Sequence, residues 1–105
     1  TAPKQLLIRA VGPGLAQFGV GGVLADPQLT LTPLGRSFTV AASDNWGGSI
    51  TLASAFSQAG AFALPAGSND AAVVVRLPPG GYTVVVSGVG NTTGTALVEV
   101  YDLDP

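Results

Sequence analysis

Chain breakers recur about every ten residues in this sequence, and that spacing is its strongest constraint. Gly12-Pro13-Gly14, Asp26-Pro27, Gly47-Gly48, Pro78-Pro79-Gly80-Gly81 and Gly90-Asn91-Thr92-Thr93-Gly94 each interrupt an apolar run. Proline cannot donate to a ladder and glycine admits φ > 0, so each cluster ends a strand and permits a sharp turn. Several of the runs between breakers alternate apolar with polar residues, the period of a strand with one buried face. A parallel α/β sheet needs a crossover helix between successive strands, and this spacing leaves no room for a series of them. The pattern predicts an all-β protein. The expected fold is an antiparallel β-sandwich or jelly-roll-like domain of about six to eight strands, spanning 1–105 as one unit.

Residues 5–11, QLLIRAV, read as a strand with Leu6, Ile8 and Ala10 on one face and Leu7, Arg9 and Val11 on the other. Both faces are largely apolar, which places the strand centrally, with Arg9 near an edge or paired. Leu29 and Leu31 alternate inward along 28–32. Along 37–42 the alternation points Phe38, Val40 and Ala42 inward. Leu52, Ala55, Phe56 and Ala59 fall at i, i+3, i+4 and i+7, so one short helix is expected over 49–59. Ser49 is its N-cap and Gly60 its closing glycine. Three more strands, at 71–77, 81–89 and 95–103, have tight links and read as an antiparallel meander. Glu99, alternating with Val98 and Val100, is expected to face solvent.

Only 10% of the residues are charged, against about 25% in ordinary proteins. Such a surface is common in secreted, repetitive or assembling β proteins. The basic residues are Lys4, Arg9, Arg36 and Arg76, too few and too scattered for a nucleic-acid face. The chain has no Cys and no His, which removes thiolate chemistry and the commonest general base and metal ligand. Without His there is no Ser-His-Asp triad. The acids Asp26, Asp44, Asp70, Glu99, Asp102 and Asp104 show no catalytic spacing, and Lys4 stands in a terminus expected to fray. The expectation is a non-enzyme without a cofactor. No apolar run approaches the roughly 18 residues of a membrane span. No leader is visible, so an exported form would have lost it or carried it upstream.

Two motifs remain. Gly12-Pro13-Gly14 has the look of a phosphate loop, but Pro13 removes an N–H and no Lys follows, which favours a corner between sheets. In Ser43-Asp44-Asn45-Trp46-Gly47-Gly48, three readings stand open. Asp44 and Asn45 can join Asp70, Asn69 or Asp26 around calcium, which takes six to eight oxygens. Trp46 can serve as a sugar-stacking platform beside Asp44, Asn45 and Tyr82 or Tyr101. Or Trp46 plugs one end of the fold while its neighbours cap the turn. Asn91-Thr92-Thr93 also fits the N-glycosylation sequon, making Asn91 a possible glycan acceptor.

The segments LLIRAVGPGL (6–15), FGVGGVLADPQLTL (18–31), SDNWGG (43–48), AFALPAGSNDAA (61–72) and PGGYTVVVSGVGNTTGTALVEVYDLD (79–104) together form a pattern. It resembles a module of secreted and cell-surface proteins of environmental bacteria, often near the C-terminus or in several copies. GYTVVVSG alone is similar to bacterial pre-peptidase C-terminal β-sandwich domains. The resemblance implies an extracellular β module with no catalytic residues. It also implies a further glycine-rich strand before Leu6, which this chain lacks. Either the fragment is trimmed or the sandwich has an open groove that invites a neighbour's strand. The expected role is a structural or adhesive unit of a bacterial surface fibre or tandem array. Its expected partners are copies of itself or neighbouring repeats, with Leu6, Leu7, Ile8, Arg9, Val98 and Val100 as contacts. Binding of surface glycans is the alternative.

Overall fold

In the computed structural model, which describes residues 2–104, the strands are short and the links between them turn sharply. The strands are β1 (Lys4–Val11), β2 (Pro27–Pro33), β3 (Ala41–Ser43), β4 (Ala71–Leu77), β5 (Tyr82–Gly88) and β6 (Leu97–Asp102), with one α-helix, α1 (Ile50–Ala59). They make two antiparallel three-stranded sheets, ordered β4-β1-β6 and β3-β2-β5. The fold is all-β and sandwich-like.

β1 is central because both of its faces are apolar. Ile8 and Ala10 meet Leu29 and Leu31 of β2 between the sheets. Leu7 and Val11 point the other way, under α1 and the segment that carries Leu64. The first sheet is therefore covered on both faces, by the second sheet and by the helix. Leu7, Ile8, Leu29 and Leu31 are at most 1% exposed, and each such burial contributes on the order of 2 kcal/mol.

The helix follows its sequence signals. Ser49 Oγ accepts from the Leu52 N–H at 3.2 Å, and Gly60 closes the helix at φ 75°. Ala55 and Phe56 are buried beneath it, with Leu52 and Ala59 packed beside them.

Four expectations need correction. The last three strands form no meander: β4 and β6 flank β1 in one sheet while β5 crosses to the other. β1, apolar on both faces, takes β4 and β6 on its two edges. Of the 37–42 run only Ala41 and Ala42 enter a strand, β3, in the opposite register: Ala41 packs inward while Phe38 and Val40 are 56% and 41% exposed. A one-residue slip exchanges the two faces of a strand. Glu99 faces inward toward Arg9, whereas Val98 and Val100 are exposed. Lys4 is held in β1, ion-paired to Asp102 at 2.8 Å.

Candidate functional site

Gly12 ends β1 and opens a 3-10 turn over Pro13–Phe18, where the missing N–H of Pro13 costs no hydrogen bond. The amides of Gly12 and Gly14 donate to Asp70 Oδ1 at 2.7 and 3.1 Å, and Ser68 Oγ donates to Oδ2 at 2.6 Å. Asp70 is fully buried. The turn is an anion nest, and the anion is a side chain of the same protein. A Cβ on Gly12 would collide with the Leu24 carbonyl, so the close approach requires glycine. The chain passes from the first sheet to the second after this turn, as a corner does.

Trp46 closes the same network. Its indole N–H lies 3.1 Å from the Pro65 carbonyl and 3.3 Å from Ser68 Oγ, and its backbone N–H donates to the Asp70 carbonyl at 2.9 Å. The ring rests on Phe56 with centroids 5.1 Å apart and is 6% exposed. The two motifs of the sequence thus converge on Asp70. An indole buried this far offers no open face to a sugar, which corrects the platform expectation. Tyr82 and Tyr101 do not join it: Tyr82 donates to the Pro78 carbonyl and Tyr101 to Glu99.

The calcium set does not assemble either. The Asp70 oxygens are taken by Gly12, Gly14 and Ser68, while Asp44 and Asn45 are exposed. Among the described residues no group of three or more metal-binding side chains comes together. Asp26 does lie beside Asp44. Desolvation, and then the neighbouring Asp44 carboxyl, push the Asp26 pKa above the usual carboxylate value. Two carboxyls fall well short of the oxygens calcium takes. Asn91 sits exposed at a positive φ of 60°.

Arg9 occupies the helix side of β1 with no exposed surface. Its Nε donates to Glu99 Oε1 at 2.7 Å and its Nη1 to the Phe62 carbonyl at 2.7 Å. The guanidinium lies between the rings of Phe56 and Phe62, 4.6 and 4.5 Å from their centroids. Tyr101 Oη donates to Glu99 Oε2 at 2.6 Å. That hydrogen bond, then burial and the Glu99 charge, hold the Tyr101 phenol above its usual pKa. Sequence reasoning expected Arg9 to be paired but missed this cage. An arginine inside an apolar strand, two phenylalanines in the helix and the loop after it, and a lone glutamate were the available signals.

The remaining accessible feature is one flank of the sandwich. β5 and β6 each pair on one side only. Val98 and Val100 stand opposite Ala10 and Ile8 of β1, so they belong to the face turned toward the second sheet. They are nevertheless 46% and 56% exposed, because that sheet ends at β5. Val84 and Val86 of β5 are half-buried in the same interlayer, and Val85 on the outer face is 50% exposed. Toward one end, Ala2, Leu6, Leu77, Pro78 and Tyr82 line a hollow of about 340 Å³. Of the six expected contact residues, only Val98 and Val100 are at this flank. Leu7, Ile8 and Arg9 are buried in a strand paired on both sides and can offer nothing to a partner; Leu6 is half-buried.

Fold and site define a sandwich-like all-β protein with one exposed apolar flank, whose Gly12–Gly14 turn and Trp46 indole are hydrogen-bonded within the chain. No protein family, curated protein or solved structure matches the chain.

Among the described residues, no helix is long and apolar enough to cross a membrane.

Proposed function

We propose that this chain is an extracellular structural or adhesive module of a bacterial surface assembly, associating through its open strand edges. One observation carries the reading: Val98 and Val100 belong to the interlayer face of β6 yet remain 46% and 56% exposed. An uncovered apolar strip beside unpaired backbone is a template for another strand. The low charge of the chain and its resemblance to secreted bacterial modules support the location. The absence of His and Cys and the internal use of Asp70 and Glu99 support a non-enzymatic role.

The test is light scattering over a wide concentration range, beside negative-stain electron microscopy. Concentration-dependent association is expected. Val100→Lys, which places a charge on the uncovered strip without entering the core, is expected to reduce it. A strictly monomeric wild-type protein up to about 1 mM, a weak association by the usual scale, would overturn the reading.

A further inference from the structure

We infer that the open flank receives a second copy of this chain, β5 against β5, about a two-fold axis through Val85. The inference rests on the assembly reading above and assigns its partner, strand and register.

The edges of the sandwich are not equivalent. β3 has three residues, too few for a lasting ladder. β4 carries Arg76. β6 ends in Asp102, an exposed charge that is paired to Lys4, and charged side chains are a common means of blunting an edge. β5 has no charged residue, no proline and no bulge along its seven residues, Tyr82–Gly88. Those are the devices that normally blunt an exposed edge, and here they are missing.

The β5 sequence is also complementary to itself. Its central residue is Val85, and an antiparallel pairing centred there overlaps all seven residues. Val84 then stands opposite the partner's Val86 and continues the interlayer face. Thr83 stands opposite the partner's Ser87, matching hydroxyl with hydroxyl on the outer face. Val85 meets its own copy and loses its present exposure. The two second sheets become one six-stranded sheet. The same rotation brings the partner's β5 alongside β5, on the side where the uncovered Val98 and Val100 of β6 lie. A contact of this kind is isologous, so it closes on two copies. A longer fibre would then use a different surface to join these pairs.

The absence of cysteine makes the register directly testable in the full chain. Opposed antiparallel residues have Cα atoms about 4.5–5.5 Å apart, inside the disulfide range. Val85→Cys, an exposed substitution, is expected to give a covalent dimer under mild oxidation. Thr83→Cys and Ser87→Cys are expected to link poorly alone and efficiently when mixed. Thr51→Cys, on the far helix, serves as the collision control. Val85→Lys and Val85→Glu are each expected to weaken association roughly tenfold or more, and an equimolar mixture to restore it. Far-ultraviolet circular dichroism checks that each variant is folded.

Rapid linkage at Val85 with cross-linking between 83 and 87 supports the register. Association of the wild-type protein with Val85→Cys linking no faster than Thr51→Cys overturns the β5 pairing but leaves edge assembly standing. A wild-type protein that stays monomeric overturns both.

Discussion

Asp70 is the acceptor around which the loops at one end of the molecule are arranged. Two backbone amides, a serine hydroxyl and, through that serine, the Trp46 indole depend on it. Removing the carboxyl leaves buried donors without partners, each costing about 1–3 kcal/mol. Asp70→Ala is therefore expected to lose about 4 kcal/mol in urea unfolding, two amides' worth. Asp70→Asn keeps an acceptor for Gly12 and Gly14 and is expected to lose roughly half as much. Equal losses in the two variants would mean that the charge, rather than the acceptor, matters. Asp26 works in the opposite sense. Its pKa is raised on folding, so the folded state binds its proton more tightly than the unfolded chain. Stability from this group is present at low pH and is lost as pH rises through the raised value. Asp26→Asn is expected to raise the Tm at neutral pH, and the gain to shrink on acidification below the ordinary carboxylate range. A gain independent of pH would assign the effect to packing. The Lys4–Asp102 pair has its own trend: Asp102 is lowered by Lys4, so its contribution fades as pH falls.

At the scale of elements, the buried ion pair joins β6 to β1 and both to the helix layer. Arg9 bonds to Glu99 across the strands and to the carbonyl of Phe62, and stacks on Phe56 of α1. Breaking such a pair from one side leaves a poorly hydrated charge and costs about 3–5 kcal/mol, whereas replacing both partners by apolar residues is often neutral. Arg9→Leu is expected to destabilise by about 3 kcal/mol in thermal or urea unfolding, and Arg9→Leu with Glu99→Leu to recover most of that. A double variant no better than the single one would show that the aromatic stacking and the Phe62 contact carry the cost. The helix itself was legible because its capping serine, apolar spacing and closing glycine are local signals that tertiary contacts reinforced. β3 was misread because its short run has apolar residues on both parities, and the choice of buried parity is made by β2, whose Leu31 carbonyl accepts the Val40 N–H at 2.9 Å.

Across the whole molecule, protection should grade from β1 outward. β1 is covered on both faces and paired on both edges, while β5 and β3 are the edge strands of the second sheet. Amide hydrogen exchange is expected to be slowest for Leu7–Val11 and to be fast along β3. At low protein concentration the outward amides of β5 should exchange quickly as well. Comparable protection in β3 and β1 would contradict the layered core. Lys4 and Gln5 lie beside Asp102 and Asp104, so segments entering and leaving the described fold do so at one pole. What the sequence determined by itself was local: the places of the strands other than β3 from the breakers, the helix from its caps and period, the centrality of LLIRAV from two apolar faces, and the corner at Gly-Pro-Gly. Each follows from backbone sterics or side-chain periodicity within a few residues. The tertiary structure alone decided which strands share a sheet, which anion the glycine turn holds, where Glu99 points and which valines remain uncovered. Those outcomes depend on contacts between residues as far apart as 58 and 90 positions, Gly12 with Asp70 and Arg9 with Glu99. Periodicity along the chain carries no information about such partners, because it reports a residue's face and not its neighbour.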